Sequence, residues 1–389
     1  MLVTRRFRPS VSLLAVALSV LAAAVWTGGC ASSIKPISDP EMTREIRARG
    51  LDPAAVTVPF AITDEMRAWV HKTVPDNEGM ERKLELLLLG LVADDGLKLE
   101  YEAGYTGTAR EVFETRRANC LAFTSLFVGL AREVGVPVFY LDVEDIEKFE
   151  KEGDLVVVSG HVSAGYGLAR DLRVLDFAAD PQPSGTYRRV HRISDMTAVS
   201  LYHSNRGAEL LRAGKEKEAL VWLREAVALD PEFSRPYINL GVALRRSGDN
   251  VGAEKAYRRA LELDPNAVSA YQNLASLLRG GDRGSEADDL LALAGKIGSR
   301  NPYSYLALGD LSFSQRRYEE ARRFYRRALR LYRGNAEPYA AMGLVSYATG
   351  DTGDAERWLN KALAIDQENF RVKHLSSRLR GGHSQSNVG

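Results

Sequence analysis

The stretch SRPYINLGVALRRSGDNVGAEKAYRRALELDPNA, residues 234–267, decides the fold of the C-terminal half. Three small residues, Gly241, Ala253 and Ala260, are set among large apolar ones, Leu240 and Tyr257, and Asp264-Pro265 closes the unit. Proline has no N–H to donate and clashes with the preceding turn, so Asp-Pro stops a helix there. The same grammar recurs every 34 residues in both directions, in units that start at 200, 234, 268, 302 and 336. The eighth place holds Gly207, Gly241, Ala275, Gly309 and Gly343. The twentieth holds Ala219, Ala253, Ala287, Ala321 and Ala355, and the twenty-seventh Ala226, Ala260, Ala294, Ala328 and Ala362. Two helices that approach closely need small side chains at the crossing, with large ones filling the gaps beside it. A strict period of this length therefore predicts a stack of helix pairs from 200 to 380, closed by a terminal helix at 369–380. Residues 381–389 are expected to form a disordered tail.

This pattern resembles the tetratricopeptide repeat. The resemblance implies an all-α superhelix whose concave face is lined by the first helix of each pair. In this register that face offers Ile238, Gln272, Leu306, Val242, Asp310 and Leu344, with Arg212, Arg245, Arg246 and Arg279 toward one side. Arg212, Ile238, Arg245, Gln272, Arg279 and Leu306 are the candidate partner-binding residues, and a mixed apolar and basic lining suits an extended peptide or a partner helix. The Lys/Asn clamp that some such repeats use for C-terminal carboxylates has no counterpart, since Ser204, Ala208 and Arg212 hold the facing positions of the first repeat. His203 and Arg206 make that repeat atypical. They suggest that it packs against the preceding domain, with His203 a packing residue rather than a ligand.

The N-terminus is read as an export signal. Arg5, Arg6 and Arg8 precede an apolar run of 16 residues, Val11 to Trp26, which is short for a membrane span. Thr27-Gly28-Gly29-Cys30 follows, and the segment resembles a bacterial lipoprotein signal (1–29) in which Cys30 is acylated and becomes the first mature residue. Thr27 departs from the usual Leu or Val three places before the cysteine; an uncleaved anchor and cleavage by the general signal peptidase are the alternatives. With Ala31 after the cysteine, the resemblance implies the periplasmic face of the outer membrane. Residues 30–58 read as a tether that turns helical in the charged stretch Glu41–Arg49. The chain has two cysteines, Cys30 and Cys120, so acylation of Cys30 would leave one thiol and no disulfide framework.

Between 59 and 198 the pattern is mixed. A short amphipathic helix is expected at Ile62–Lys72 and a second, more buried one at Met80–Val92, with the four-leucine run Leu86–Leu89; another starts near Cys120 and ends at Gly135. Strands are expected at Val136–Val143, Leu155–Ala164 and Leu172–Phe177. Thr106–Phe113, Arg116–Phe123 and Leu130–Pro137 together resemble the transglutaminase-like superfamily. The resemblance implies an α+β, papain-like domain with a Cys-His-Asp arrangement: Cys120, His161 and Asp176. The residues agree with it. A cysteine in the first turn of a helix capped by Asn119 would see the positive end of the helix dipole, which favours the thiolate nucleophile. A hairpin symmetric about Leu168 and Ala169 would set His161 directly opposite Asp176. A buried, inert thiol is the bland alternative for Cys120. His191 is a runner-up base in the basic loop Arg188–Arg192, where a surface role fits better; Tyr105 and Tyr166 are candidates to line the cleft.

Composition excludes little. Net charge is +1, with 52 basic and 51 acidic residues interleaved, so no global field points to nucleic acid. The six histidines are dispersed without metal-ligand spacing, no phosphate loop is present, and no cofactor is implied. Two functions compete. One is a lipid-anchored cysteine protease, amidase or acyltransferase, fed by the repeats. The other is a silent envelope scaffold that binds partner proteins, with a regulator of cell-wall enzymes as a variant.

Overall fold

A computed structural model describes residues 39–152, 155–167, 172–175, 190–297 and 302–386. They fall into two compact units, Pro59–Asp145 with Val162–Asp195, and Ile37–Val58 with Ile146–His161 and Met196–Gly389. Cys30 and Asp176 lie outside the described residues.

The first unit is α/β. Its helices are α2 (Asp64–Thr73), α3 (Met80–Val92), α4 (Ala109–Thr115) and α5 (Cys120–Glu133), after α1 (Asp39–Ala48) of the other unit. Two short strands, β1 (Glu100–Tyr101) and β2 (Arg117–Ala118), pair in parallel. A four-stranded sheet is ordered β5-β4-β3-β6, from β3 (Phe139–Glu152), β4 (Leu155–Tyr166), β5 (Arg173–Leu175) and β6 (Val190–Ile193). Every residue of α5 from Leu121 to Ala131 is buried, so this helix is the centre of the unit. Apart from Thr124 and Ser125, its buried run is apolar, as a helix with no solvent face requires. At its C-terminal end Arg132 grips Asp195 with two parallel bonds, 2.8 and 2.9 Å, and donates a third to the Val138 carbonyl at 3.1 Å. Asp195 is 3% exposed, so this bidentate pair is a buried anchor, where loss of either partner leaves an uncompensated charge.

Two sequence expectations are corrected here. Residues 190–193 are an edge strand rather than part of a loop, antiparallel to β3 with Tyr140 opposite Ile193 and Asp142 opposite His191. The β4–β5 hairpin pairs Ala164 with Leu175, Gly165 with Val174 and Tyr166 with Arg173. Symmetry about Leu168 and Ala169 would have paired Ala164 with Arg173. The observed register is shifted by two, which keeps each residue's face and changes its direct opposite.

In the second unit the helices follow the period. First helices are α6 (Asp195–Arg212), α8 (Ser234–Arg246), α10 (Val268–Arg279), α12 (Pro302–Ser314) and α14 (Ala336–Ala348). Second helices are α7 (Glu216–Leu229), α9 (Asn250–Leu263), α11 (Gly284–Ile297), α13 (Tyr318–Leu331) and α15 (Thr352–Leu363). All ten alanines at the two fixed places are at most 3% exposed, as close helix crossings require. In four of the five pairs a left-handed residue at the fifteenth place turns the chain between the helices: Gly214, Gly248 and Gly350 have φ of +69°, +87° and +86°, and Arg316 takes the same place at +58°. The terminal helix α16 (Phe370–Ser386) runs past residue 381, where a disordered tail was expected. Arg371 holds it by a bidentate pair to Asp310, 2.5 and 2.7 Å, and the Tyr325 hydroxyl donates to the same carboxylate at 2.7 Å.

Residues 39–58 belong to this unit too. Met42, Ile46 and Val56 are buried, Arg49 Nε donates to the Leu229 carbonyl at 2.7 Å, and His203 Nε2 lies 3.0 Å from the Thr57 carbonyl. The stretch read as a tether is a docked helix and strap. His203 is fully buried, with Nδ1 3.0 Å from Glu225 and its ring 4.8 Å from that of Trp222. It is a packing residue, as its place in an atypical first repeat suggested.

Candidate functional site

Cys120 is the first residue of α5, half-buried. Asn119 caps the helix: its Oδ1 accepts from the Ala122 N–H at 2.9 Å, while its Nδ2 donates to the Thr106 hydroxyl at 2.6 Å. The Asn119 N–H donates in turn to the Tyr105 carbonyl at 3.1 Å. The cap is thus held by the 105–106 loop, and the cysteine sits where a helix leaves backbone N–H groups pointing outward. One turn on, the Thr124 hydroxyl donates to the Val162 carbonyl at 3.2 Å, next to His161 in the chain. His161 lies on β4 and is 4% exposed. Asp176, the third expected member, is among the residues not described, so the register above is the observation that bears on its pairing.

Sequence reasoning passed over Asp142. It is buried on β3, directly opposite His191 on β6, which is exposed. Paired residues share a face of the sheet, as do residues two apart, so both lie on the face of Tyr140, whose hydroxyl donates to Ser125 of α5 at 3.2 Å. Burial pushes the Tyr140 hydroxyl well above the ordinary tyrosine range, so it stays a neutral donor. An acid inside the run Leu141-Asp142-Val143 gives no signal of its own in the sequence. Tyr105 and Tyr166 are partly exposed; the Tyr166 hydroxyl meets the Met80 sulfur at 3.1 Å, and Arg117 lies over the Tyr105 ring. Among the described residues no group of three or more His, Cys, Asp or Glu side chains is placed to hold a metal ion, and no helix is long and apolar enough to cross a membrane.

On the repeats, the six candidate partner-binding residues separate into two kinds. Ile238, Gln272 and Leu306 are buried. Ile238 packs with Ala260 and Ala270 of the next helices, and Gln272 donates to the Tyr303 carbonyl at 3.2 Å and accepts from the Ser304 hydroxyl at 3.3 Å. Leu306 joins the main core cluster. These three hold neighbouring repeats together instead of lining an open face, a role that their spacing along a helix does not distinguish from groove lining. The arginines stay at or near the surface. Arg212 and Arg279 are exposed, and Arg279 pairs with Asp288 at 2.6 Å. Arg245 is half-buried and donates to the Ser276 hydroxyl at 3.0 Å; Arg246 donates to the Leu211 carbonyl at 2.8 Å. These last two bonds tie together the C-terminal ends of the first helices of repeats one to three, where the dipole favours cations.

At these same places, twelfth and thirteenth in each unit, the chemistry changes along the stack. Repeats one to three supply Arg212, Arg245, Arg246 and Arg279 beside Gly280 and the buried Leu211; repeats four and five supply Phe313, Ser314, Tyr347 and Ala348. One end of the strip is basic and the other aromatic.

Family comparison agrees with the architecture. Tetratricopeptide-repeat models match residues 210–278 and 312–379, and a second such model matches 285–336. No curated protein is similar in sequence. Among solved structures, a Pseudomonas aeruginosa PilF structure is 22% identical, covering 48% of this chain and 86% of that chain, with a TM-score of 0.42. MamA of Desulfovibrio magneticus RS-1 is 20% identical, covering 44% and 97%, with a TM-score of 0.35. A tetratricopeptide-repeat protein of Thermus thermophilus, TTC0263, is 18% identical, covering 46% and 98%, with a TM-score of 0.39. Likenesses of this size say nothing about partner or role. The C-terminal part of the chain is a tetratricopeptide superhelix, preceded by an α/β region.

Proposed function

We propose that the protein is an exported, lipid-anchored scaffold that holds a partner polypeptide along the first-helix face of its repeats. The observation that carries this reading is the segregated strip: arginines over the first three repeats, aromatic side chains over the last two. A continuous helical stack has an uninterrupted inner surface, which an extended segment can follow for several repeats. The partner suited to this strip has carboxylates at one end and apolar side chains at the other. Export and anchoring rest on the basic start, the apolar run at 11–26 and acylation of Cys30. Metabolic labelling with a palmitate analogue tests the anchor: Cys30→Ser should abolish label and membrane retention. For the face, Arg212→Ala with Arg245→Ala and Arg279→Ala should weaken partner capture by about tenfold or more and flatten its salt dependence. Unchanged capture by this folded triple variant sinks the reading.

A second reading is favoured by one observation, the Asn119-capped helix start at Cys120. In it the Cys120 thiolate attacks an amide carbonyl, His161, oriented by Asp176, protonates the leaving amine, and water or a second amine resolves the thioester. Water gives hydrolysis, an amine gives transfer. The discriminating assay is alkylation: a nucleophilic Cys120 reacts at about pH 6 faster than an unperturbed thiol, and a rate no faster removes the enzyme.

A further inference from the structure

We propose that the exposed arginine stripe of α13 lies on anionic phospholipid headgroups, so that the anchored chain holds its repeats with this second helix toward the membrane. The inference rests on the anchored reading above and adds how the repeats meet the surface. Helix α13 carries five arginines against two glutamates, whereas α11 has three acids and one lysine, and α7 three acids and two bases. The repeat period therefore does not require this charge. Both glutamates are taken up locally, Glu320 by Arg317 at 3.1 Å and Glu319 by Arg322 at 3.7 Å. Arg323, Arg326 and Arg330 follow at helical spacing along one side, about 10 Å from first to last, and all three are exposed. Arg333, also exposed, continues the line just beyond the helix, where the first two units have the proline of their Asp-Pro. Among the described residues no carboxylate pairs with any of these four arginines.

Guanidinium groups suit phosphodiesters, because each planar fork can donate to two phosphate oxygens at once. The competing occupant is an acidic segment of another protein, and two observations favour the lipid. Cys30 stands nine residues before Asp39, where α1 begins in the same compact unit as α13, so an acyl group at Cys30 keeps that unit within about 30 Å of its point of attachment. Tyr332, 48% exposed beside Arg333, gives the stripe an amphipathic end of the kind that settles at headgroup level. With a net charge of +1 over the whole chain, attraction to a surface has to be local. Each basic residue near an anionic surface strengthens binding by about fivefold, and the effect fades within about 10 Å at moderate salt. Because α13 is the second helix of its pair, lipid contact there leaves the first-helix strip open to a partner.

The test uses the full chain carrying Cys30→Ser, so that no acyl group masks the contact, floated on vesicles of phosphatidylcholine alone or with about 30 mol% phosphatidylglycerol at about 0.1 M salt. Binding to the anionic vesicles should be about tenfold tighter, and R323A/R326A/R330A/R333A in the same background should bind both kinds alike. Equal binding to the two vesicles, or a preference that the folded quadruple variant keeps, overturns the proposal. Tighter binding to a polyglutamate peptide than to the anionic vesicles assigns the stripe to a protein and overturns it too. The anchor is judged separately, by wild type on neutral vesicles: no binding there sinks acylation and leaves the vesicle preference of the Cys30→Ser chain to decide the stripe. Arginine labelling by phenylglyoxal, read by mass spectrometry on acylated wild type, supplies a readout without a stripe variant. Labelling of Arg323, Arg326 and Arg330 should be several-fold slower on anionic than on neutral vesicles, while Arg279 on the first-helix face keeps its rate; equal rates on both vesicles, or equal slowing of Arg279, count against the contact.

Discussion

Gly241 and Tyr257 offer a measurement of how the repeat grammar works. A Cβ at Gly241 would stand 2.6 Å from Tyr257 Cδ1 and 2.8 Å from Cζ, and closer still to Cε1. Ordinary carbon contacts are about 3.5–4.0 Å, so the ring would have to retreat by about 1 Å. Tyr257 is fully buried among Leu240, Leu274 and the fixed alanines, which leaves it no such room. Overpacking of this kind costs about 1–3 kcal/mol. Alanine regains about 1 kcal/mol over glycine through helix propensity, so Gly241→Ala should cost a net of about 0–2 kcal/mol. The third repeat contains the control: its eighth place is Ala275 and the facing residue is Leu291. A leucine partner has two settings in this stack, since Leu291 admits Ala275 whereas a Cβ at Gly207 would stand 2.5 Å from Leu223 Cγ; in a Tyr257→Leu background, where the shorter side chain is free to take the first setting, Gly241→Ala should become about neutral. The double-mutant cycle, read from urea denaturation followed by circular dichroism, should give a coupling of about 1–2 kcal/mol. A coupling below about 0.5 kcal/mol would refute the claim that the eighth and twenty-fourth places are fitted to one another.

Arg316 has φ of +58° where three of the other repeats have glycine, so Arg316→Gly should stabilise the chain by about 1 kcal/mol in the same denaturation assay. His203→Leu leaves the Thr57 carbonyl and Glu225 without their buried partner; a loss of about 2–3 kcal/mol is expected, with faster tryptic cleavage after Arg44, Arg47 and Arg49 as the strap loosens. Asp354 is held below the usual carboxylate range by the Ser346 hydroxyl, against the opposing effect of burial, with help from Trp358 and Arg357. A depressed carboxylate adds stability that is present above its unfolded value, about 4, and lost as the pH falls through the lower folded one. Thermal melts of wild type should therefore drop more steeply below about pH 4 than those of Asp354→Asn, and parallel curves would contradict the assignment.

The repeat helices were legible because one constraint writes them five times. First helices start at Ser234, Val268, Pro302 and Ala336, the starts given by the 34-residue period, since small residues at a crossing and large ones beside it leave no freedom of register. Residues 39–58 were harder. Their burial depends on only Met42 and Ile46, one turn apart, and Val56, and a run dominated by Glu and Arg hides so thin an apolar stripe. Edge strand β6 was missed for a similar reason: it is only four residues long, and its central pair His191-Arg192 is the kind of polar, basic content an edge carries to discourage further pairing and that also suits a loop. Gly381-Gly382 reads as a stop, yet α16 continues through it to Ser386.

The candidate sites show the same limit in sharper form. Asn119 as a cap and Cys120 as a first helical residue could be read directly, because an N-cap is a local arrangement of side chain and backbone within about four residues. Register across a hairpin is not local. A shift of two between β4 and β5 follows from where the turn places its extra residues, and nothing in the alternation of side chains distinguishes it, since period-two patterns are unchanged by such a shift. Burial on the repeats is likewise decided by the neighbouring unit. Ile238, Gln272 and Leu306 occupy the fifth place of successive first helices, where apolar or amide side chains serve an open groove and a packed seam equally well. Arginine at the helix end is different in kind: its guanidinium stays at or near the surface, as at Arg212 and Arg279, or finds a partner on the neighbouring repeat, as Arg245 does on Ser276 and Arg246 on the Leu211 carbonyl.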